Sequence, residues 1–407
     1  MAKVQAETDV RDRTNTFSGG REASSDDWPS GADVAVATGG SGSGGSIGWS
    51  EGGLRLIDLL DGLCAGRSAI FSLVRVAGDL MTRNPRRLTL DDRVETCLKL
   101  MTGYRLRHVP VIEPPGEKRT GPTLVGVISG RDIGRHLSPY VGKVGAKDSD
   151  RARMKERLSQ VATRKPRVAR PDTPLDAIIT TMVRHHIDMI PVMDDDALVG
   201  IVTAGDILKL FVRMGRIQAL SVPERDCSDK ARLLDLAARR STPDQLLDLY
   251  FRTVGDIMTE QVVSLEEDEV IASAMEAMQQ GAFRHLPVVA KNGKLAGIVS
   301  DRNILRHLPG PRQPGAGTGQ GFRCELFSVA PNHPNLKTPL KQIMVPEVTQ
   351  VSPSCGIFHA AAKMFDHRIS SLVVVDEDKD IRGVVTVTDF MRVLLALYEF
   401  GVRQSPT

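Results

Sequence analysis

Three short segments of the sequence share a pattern that can bind a phosphate or a sugar. In each, a Ser or Thr precedes an Asp by three residues: Ser129 with Asp132, Thr203 with Asp206, and Thr386 with Asp389. At the start of a helix, the hydroxyl lies beside unpaired backbone N–H groups and the positive end of the helix dipole. The carboxylate lies on the same face and can accept hydrogen bonds from both hydroxyls of a ribose. The pattern therefore favours nucleotide binding.

The same spacing also has a purely structural interpretation, the capping box that closes a helix start. A single instance would favour the cap, so the interpretation as a nucleotide site depends on recurrence of the pattern. A fourth segment departs from it, because Ser300 is followed by Asn303, which keeps a carbonyl acceptor without the charge. One charge-assisted hydrogen bond is worth roughly 1–2 kcal/mol, so we expect this site to be weakened or vacant. We expect Asp301 to point elsewhere on its helix.

Two basic pairs precede strands that contain a hydrophobic residue, Pro and Val: Arg107–His108 and Arg284–His285. The arginine fork suits phosphate oxygens, and because successive strand residues face opposite sides, only one member of each pair can face a cleft. The matching positions in the other two segments bring no positive charge: Asp188–Met189 and Ser370–Ser371. The alternative, solvated charges at a strand start, stays open.

The elements that must position these residues recur four times in the same order. Each stretch predicts strand, helix, strand, strand, helix, because apolar residues at helical spacing alternate with short runs of Val and Ile. The widest spacing falls between the second and third copies, so they group as one plus two and three plus four. We place the four units at 75–138, 155–214, 252–309 and 337–399, with a helical linker at 215–251 and a flexible loop at 310–336.

The N-terminal 53 residues have a different composition. Residues 1–53 are rich in Gly and Ser and predict a disordered leader. Gly40, Gly42 and Gly45 formally match a dinucleotide-binding fingerprint, but the sequence lacks the strand and helix that this motif requires. Residues 54–74 predict short amphipathic helices that pack on the first unit.

The repeated order of elements and the two recurring motifs resemble the CBS domain family, whose members occur in pairs called Bateman modules. The resemblance implies an α/β (α+β) fold, with four β-α-β-β-α CBS units packed as two tandem pairs. Each unit is then a three-stranded sheet with two helices on one face. Paired units pack through their sheets and form two clefts that commonly hold adenosine derivatives.

The resemblance also implies a set of ligand-binding residues: Arg107, His108, Ser129, Asp132, Thr203, Asp206, Arg284, His285, Ser300, Thr386 and Asp389. It implies AMP, ADP or ATP as a regulatory ligand, leaves S-adenosylmethionine and dinucleotides open, and requires no cofactor. The regulated partner is then a separate, unidentified protein chain, or the protein acts through its own assembly as a homodimer. A structural scaffold with empty clefts is the alternative function.

Composition limits the other function classes. The 53 basic and 50 acidic residues give a net charge of +3, which is not the one-sided basic surface of a dedicated nucleic-acid binder. The 4% aromatic content makes base stacking unattractive. Five widely spaced cysteines without a C-x-x-C favour a reducing compartment, so we expect a cytoplasmic protein. No apolar run is long enough for a membrane span.

Catalytic and metal-binding patterns are weak. His185 and His186 with Asp188 lack a fourth ligand nearby, so we interpret them as surface or interface residues rather than a metal site. The sequence contains no P-loop, nucleophile elbow or paired carboxylates. The four units also occupy the length that we predict to be ordered. We therefore expect a binding protein rather than an enzyme.

Overall fold

Four stretches of the chain fold into strands and helices in the predicted order. The structure, a computed structural model, describes residues 73–114, 122–137, 148–219, 251–308 and 333–404. Several predictions lie wholly or mostly outside these residues: the leader (1–53), the amphipathic segment (54–74), the linker (215–251) and the loop (310–336).

The elements of the first pair are short. Repeat one contains α1 (Ala77–Leu80), β1 (Thr82–Arg83), β2 (Leu88–Thr89), α2 (Val94–Gly103), β3 (His108–Glu113), β4 (Thr123–Ser129) and α3 (Gly130–His136). Helix α4 (Asp148–Met154) leads into repeat two, which contains a 3-10 turn (Leu158–Gln160), β5 (Thr163–Arg164), α5 (Leu175–His185), β6 (Met189–Asp194), β7 (Ala197–Thr203) and α6 (Ala204–Ala219).

The second pair repeats the helices and hairpins of the first, but its exchanged segments form isolated bridges instead of strands. Repeat three contains a 3-10 turn (Val254–Asp256), β8 (Leu265–Glu266), α7 (Ile271–Gly281), β9 (His285–Val289), β10 (Leu295–Ser300) and α8 (Asp301–His307). Repeat four contains two 3-10 turns (Pro334–Lys337 and Leu340–Gln342), β11 (Gln350–Val351), α9 (Ile357–Asp366), β12 (Ser371–Val375), β13 (Ile381–Thr386) and α10 (Val387–Gln404). The mixed α/β fold class is therefore confirmed.

The central strands of each repeat form an antiparallel hairpin, and in repeats one, three and four a two-residue strand of the same repeat lies beside it. In repeat one the sheet order is β2-β3-β4-β5, and β2 runs parallel to β3. The corresponding orders are β10-β9-β8 in repeat three and β11-β12-β13 in repeat four. The first strand of each hairpin is apolar and buried along most of its length, as in Val109 and Val111, whereas buried and half-buried residues alternate in β7 and β10.

Repeats of one pair exchange their first strands. Strand β1 of repeat one joins β7 of repeat two, with Thr82 opposite Ile201, and β5 of repeat two joins β4 of repeat one, with Thr163 opposite Val127. Isolated bridges repeat this exchange in the second pair: Thr259 with Val384, and Ile298 with Val345. Each sheet of a pair therefore contacts a segment of the neighbouring repeat, and the pair is the structural unit.

A glycine in the last strand of each repeat allows the exchanged segment to approach closely. A Cβ atom at Gly200 would lie 2.5 Å from the sulfur of Met81, and at Gly383 it would lie 2.6 Å from the sulfur of Met258. Gly126, Gly297 and Gly383 also have an exchanged backbone carbonyl at 2.8–3.0 Å. Contacts this short are sterically forbidden for any larger residue.

The two pairs stack through their helices within one chain. Helix α3 of repeat one packs on α8 of repeat three, while α5 and α6 of repeat two pack on α9 and α10 of repeat four. Repeats two and four share one hydrophobic core, in which Phe211 meets Phe390 edge-on with 5.2 Å between ring centroids. Repeats one and three each keep a separate core, so the contact between them is polar.

The close approach at Gly383 gives a direct test of strand exchange. We expect Gly383→Ala to lower the free energy of unfolding by roughly 1–3 kcal/mol, because the new methyl group overpacks a contact with backbone on one side. Gly103→Ala is the matched control, since a Cβ atom there would meet nothing within 4 Å. Urea denaturation of both variants provides the measurement, and equal stabilities would contradict the exchange.

Candidate functional site

The four strand-to-helix turns share one set of capping hydrogen bonds. In the first, Oδ2 of Asp132 accepts from the backbone N–H of Ser129 at 2.8 Å and from its hydroxyl at 2.7 Å. The turns at Asp206 and Asp389 repeat both bonds. Asn303 also repeats them through its side-chain oxygen. One side-chain oxygen therefore closes the helix start at every turn, whether or not the residue is charged.

The second carboxylate oxygen distinguishes the turns. In the first pair, Oδ1 of Asp132 accepts from the Thr163 hydroxyl at 3.2 Å, and Oδ1 of Asp206 faces the Thr82 hydroxyl at 3.5 Å. Both threonines belong to exchanged strands, so each turn is completed by the other repeat. In the second pair, Oδ1 of Asp389 accepts instead from Arg392 at 3.0 Å. Burial raises the pKa of Asp389, although hydrogen bonds from Thr386 and Arg392 partly oppose it.

The turn at Ser300 lacks more than its acid. The exchanged segment that pairs with β10 carries Val345 where the segments of the first three repeats carry Thr82, Thr163 and Thr259. No hydroxyl from that position can therefore reach Asn303. This turn has lost both the carboxylate and the neighbouring hydroxyl, and it remains a helix cap.

A cavity of about 370 Å³ opens at the turn of Asp389, and this volume is at the lower end for small-molecule sites. All four repeats contribute to its lining. The cavity brings together five of the residues predicted from the sequence: Arg284, His285, Ser300, Thr386 and Asp389. The exchanged segment 259–263 forms one wall, where Val262 and Val263 give it an apolar surface. The other six predicted residues do not line this cavity: Arg107, His108, Ser129, Asp132, Thr203 and Asp206.

Asp301 corrects one expectation. The sequence suggested that it points elsewhere on its helix, but Asp301 is buried and lines the same cavity as Ser300. Its Oδ2 accepts from Nε of Arg131 at 2.7 Å. The reason is that α8 packs against α3, so the first residue of α8 faces the other pair instead of solvent.

The inner end of the cavity is a cluster of charges from three repeats. Nη2 of Arg131 and Nη1 of Arg284 both lie 3.3 Å from Oδ2 of Asp188. Burial alone would raise the pKa of Asp188, but Arg284, Arg131 and other cations hold the pKa well below its usual range. Burial and the nearby Arg131 lower the pKa of Arg302 to about 10. The cluster therefore stays ionised near neutral pH.

Arg107 takes part in a different contact between the pairs. It donates to the backbone carbonyl of Arg368 in repeat four, and Nη1 of Arg368 donates to the carbonyl of Arg105 at 3.0 Å. These reciprocal bonds join repeats one and four. Arg284 thus lines the cavity, whereas Arg107 lies outside it, at the contact between repeats one and four.

The two histidines of the basic pairs are neutral near pH 7. Burial, with help from neighbouring arginines, lowers the pKa of His108 and the pKa of His285 to about 4. Nε2 of His285 lies 3.1 Å from the hydroxyl of Ser370, so this imidazole is a hydrogen-bonding group. The arginines alone supply positive charge to the cavity.

Sequence reasoning missed several residues of the cavity. Arg131 and Arg302 follow Ser129 and Ser300 by two residues in repeats one and three, and comparing the repeats at that position would have singled them out.

His186 lines the cavity, and no group of His, Cys, Asp or Glu suited to a metal ion occurs among the described residues. Over the same residues, no helix has the length and apolarity of a membrane span.

Four units that pair by strand exchange define a tandem-repeat protein whose clefts lie between paired units. The chain belongs to the CBS domain family, whose model matches residues 77–138, 158–213, 254–310 and 340–396. The expectation of four CBS units in two tandem pairs is therefore confirmed.

Similar proteins differ in length and name. An uncharacterized 17.7 kDa protein of Acidianus ambivalens is 30% identical over 156 residues, which cover 38% of this chain and 74% of that protein. The homoserine O-acetyltransferase of Methanococcoides burtonii is 31% identical over 142 residues, or 35% of this chain. This chain spans 24% of the acetyltransferase and 57% of the chloroplastic CBSX1 protein of Arabidopsis thaliana, which is 32% identical.

Two solved structures are similar to all or part of the region that contains the four units. One is a protein of Methanocaldococcus jannaschii described as a candidate archaeal homolog of g-AMPK, with a TM-score of 0.49 and 18% identity. The match covers 78% of this chain and 99% of that one. Another is the CBS domain pair of protein MJ0100 in complex with 5-methylthioadenosine and S-adenosyl-L-methionine, with a TM-score of 0.27 and 25% identity over 35% of this chain and 94% of that one.

The neutral histidines predict how stability depends on pH. Because the folded-state pKa of about 4 lies below the ordinary value of 6.5, protonation favours the unfolded chain. The two neutral imidazoles make their full contribution to stability above pH 6.5, and this contribution is lost as the pH falls towards 4. We expect the double variant His108→Gln/His285→Gln to show a smaller fall in melting temperature over this window. His359→Gln, which removes an exposed imidazole, is the control and should keep the parent's full pH dependence.

Proposed function

We propose that the protein is a regulatory nucleotide sensor and that the cavity of its second pair binds an adenosine nucleotide. The observation that carries the proposal is that one cavity contains both the turn of Thr386 and Asp389 and the guanidinium of Arg284. A ribose at Asp389 would place its two hydroxyls near a buried carboxylate. A phosphate would then extend towards Arg284 and Arg131.

The apolar wall supports the base end of this arrangement. Val263 is 47% exposed, although valine is a residue type that proteins usually bury. An adenine ring against Val262 and Val263 would remove this apolar surface from water. A cavity with an apolar wall and a few convergent polar groups is typical of small-molecule sites.

The ligand is proposed as AMP, ADP or ATP, with S-adenosylmethionine as a further adenosine compound to test. Arginines at the inner end favour a ligand with phosphate groups, because guanidinium groups donate paired hydrogen bonds to phosphate oxygens. We propose binding without catalysis, in a cytoplasmic homodimer that regulates a separate protein partner. The Asp132 and Asp206 turns of the first pair are proposed as further ligand contacts.

A scaffold with unoccupied clefts is the competing function. It is favoured by one specific observation, the capping hydrogen bonds that all four turns make, including the one with Asn303. Under that function the acids are caps only. The two functions therefore predict different ligand affinities for a variant that loses the charge of the acid but keeps the capping hydrogen bond.

Asp389→Asn makes this separation, since Asn303 shows that an amide oxygen preserves the capping bond. We expect AMP affinity to fall about tenfold, the equivalent of one charge-assisted hydrogen bond, with little change in melting temperature. Isothermal titration calorimetry and thermal melting of the same samples measure both quantities.

Asp256→Asn is the matched control. Oδ2 of Asp256 accepts from the N–H and hydroxyl of Thr253 in an exposed turn, so the variant repeats the chemical change outside the cavity. It should bind AMP like the parent. No binding of AMP, ADP, ATP or S-adenosylmethionine by the parent, or equal affinities in parent and Asp389→Asn, would favour the scaffold.

A further inference from the structure

One residue at the inner end of the cavity has the wrong charge for a phosphate site. Asp188 belongs to the first pair, yet it lines the cavity of the second. It occupies the strand-start position at which the other repeats carry Arg107, Arg284 and Ser370. No other repeat places an acid there, so the repeat pattern alone does not account for it.

Asp188 occupies the donors that an anionic ligand would use. Its carboxylate lies 3.3 Å from Nη1 of Arg284 and 3.3 Å from Nη2 of Arg131. The side chains of Asp188, Arg131 and Arg284 are only 24%, 16% and 11% exposed. The ion pairs are therefore weakly screened by solvent, and an incoming phosphate must compete with a carboxylate that is already in position.

Other contacts would hold both arginines in the cavity after an anion displaced Asp188. Arg131 keeps a second carboxylate, because its Nε bonds Asp301 at 2.7 Å. Arg284 lies beside the hydrogen-bonded pair of His285 and Ser370. A phosphate with more than one negative charge offers more acceptor oxygens than the carboxylate it would displace.

We propose that Asp188 is an internal counter-anion, which the phosphate of the ligand displaces from Arg284 and Arg131. This proposal rests on the proposed nucleotide function and describes how Asp188 regulates ligand affinity. Asp188 lowers affinity for phosphate-bearing ligands and leaves affinity for the uncharged nucleoside unchanged. Displacement breaks the ion pair between repeats two and three, so ligand binding in the second pair alters its contact with the first.

The asymmetric stacking of the pairs gives this displacement a mechanical consequence. Repeats two and four are held by a continuous apolar core, which the loss of one ion pair leaves intact. The contact between repeats one and three depends on charged groups, among them Arg131 and Asp301. A ligand that draws Arg131 away from Asp188 therefore acts on the polar side of the interface.

The test is Asp188→Asn in the full-length chain, which removes the charge but keeps the shape and an acceptor oxygen. Calorimetric titration with AMP and with adenosine measures the two affinities separately. We expect AMP affinity to rise about tenfold or more, because the carboxylate that competes for both arginines is lost, and adenosine affinity to stay unchanged. Equal AMP affinities in variant and parent would overturn the proposal, and so would a parallel gain for adenosine.

Asp195→Asn is the matched control for charge. Asp195 lies in the same repeat, its side chain is 91% exposed, and its Oδ1 lies 3.9 Å from Nη1 of Arg170. Its φ of 47° suits Asn equally well. The control should bind AMP with the parent's affinity. If its AMP affinity rose as much as that of Asp188→Asn, the effect would come from net charge alone, and the proposal would be overturned.

A second probe separates this inference from the nucleotide proposal. If the parent binds neither AMP nor adenosine, the nucleotide function fails, and pyrophosphate is used with thermal melting instead. A larger pyrophosphate-induced rise in melting temperature for Asp188→Asn than for the parent then supports the internal counter-anion, and an equal rise overturns it. Asp188→Ser, which copies Ser370 of repeat four, is the second variant. Failure of both variants to fold cooperatively would overturn the proposal, because Asp188 would then be a structural anchor.

Discussion

The exchanged first strand is the contact on which the rest of the molecule depends. Thr259 and Val384 join the strand to its neighbour by two backbone hydrogen bonds of 2.9 and 3.1 Å, and the crossing is possible because Gly383 has no side chain. The same segment then continues as the wall of the cavity, at Val262 and Val263. The segment that joins the two repeats of the second pair therefore also supplies one wall of their cavity.

The stacking of the pairs divides apolar and charged contacts between two sides. On the side of repeats two and four, Gly215 lets α6 approach Phe358 so closely that a Cβ atom would lie 2.6 Å from it, and a shared core results. On the side of repeats one and three, buried and half-buried arginines and aspartates form ion pairs. Such ion pairs add little net stability because desolvation offsets attraction. The apolar side accounts for cohesion, and the charged side is free to respond to an anion.

The sequence predicted what depends on neighbours along the chain. Helical spacing, Val-rich hairpins and the Ser/Thr-x-x-Asp turns are local patterns, and they identified the four repeats, their pairing and one end of the cavity. Strand exchange was not predicted, because two-residue strands such as Thr82–Arg83 have no periodicity. The orientation of Asp301 was wrong, and Asp188 was noted only for bringing no positive charge, because their partners are 57 or more residues away along the chain. The neutral histidines depend on burial, which only the stacked pairs create.

Electrostatics explains why the repeats diverge at the position of Asp188. Asp188 forms an ion pair with Arg284, and its charge also interacts electrostatically with Arg107. Ser370 is hydrogen-bonded to His285, which is next to Arg284 in the sequence. An arginine in all four repeats would put four like charges close together with little water to screen them. Two arginines, one aspartate and one serine reduce that repulsion while keeping a cation in each pair. The acid lies on the first pair and its cation on the second, so the neutralising contact is also the contact that joins them. An anion that replaced Asp188 at Arg284 would therefore break an ion pair that joins the two pairs.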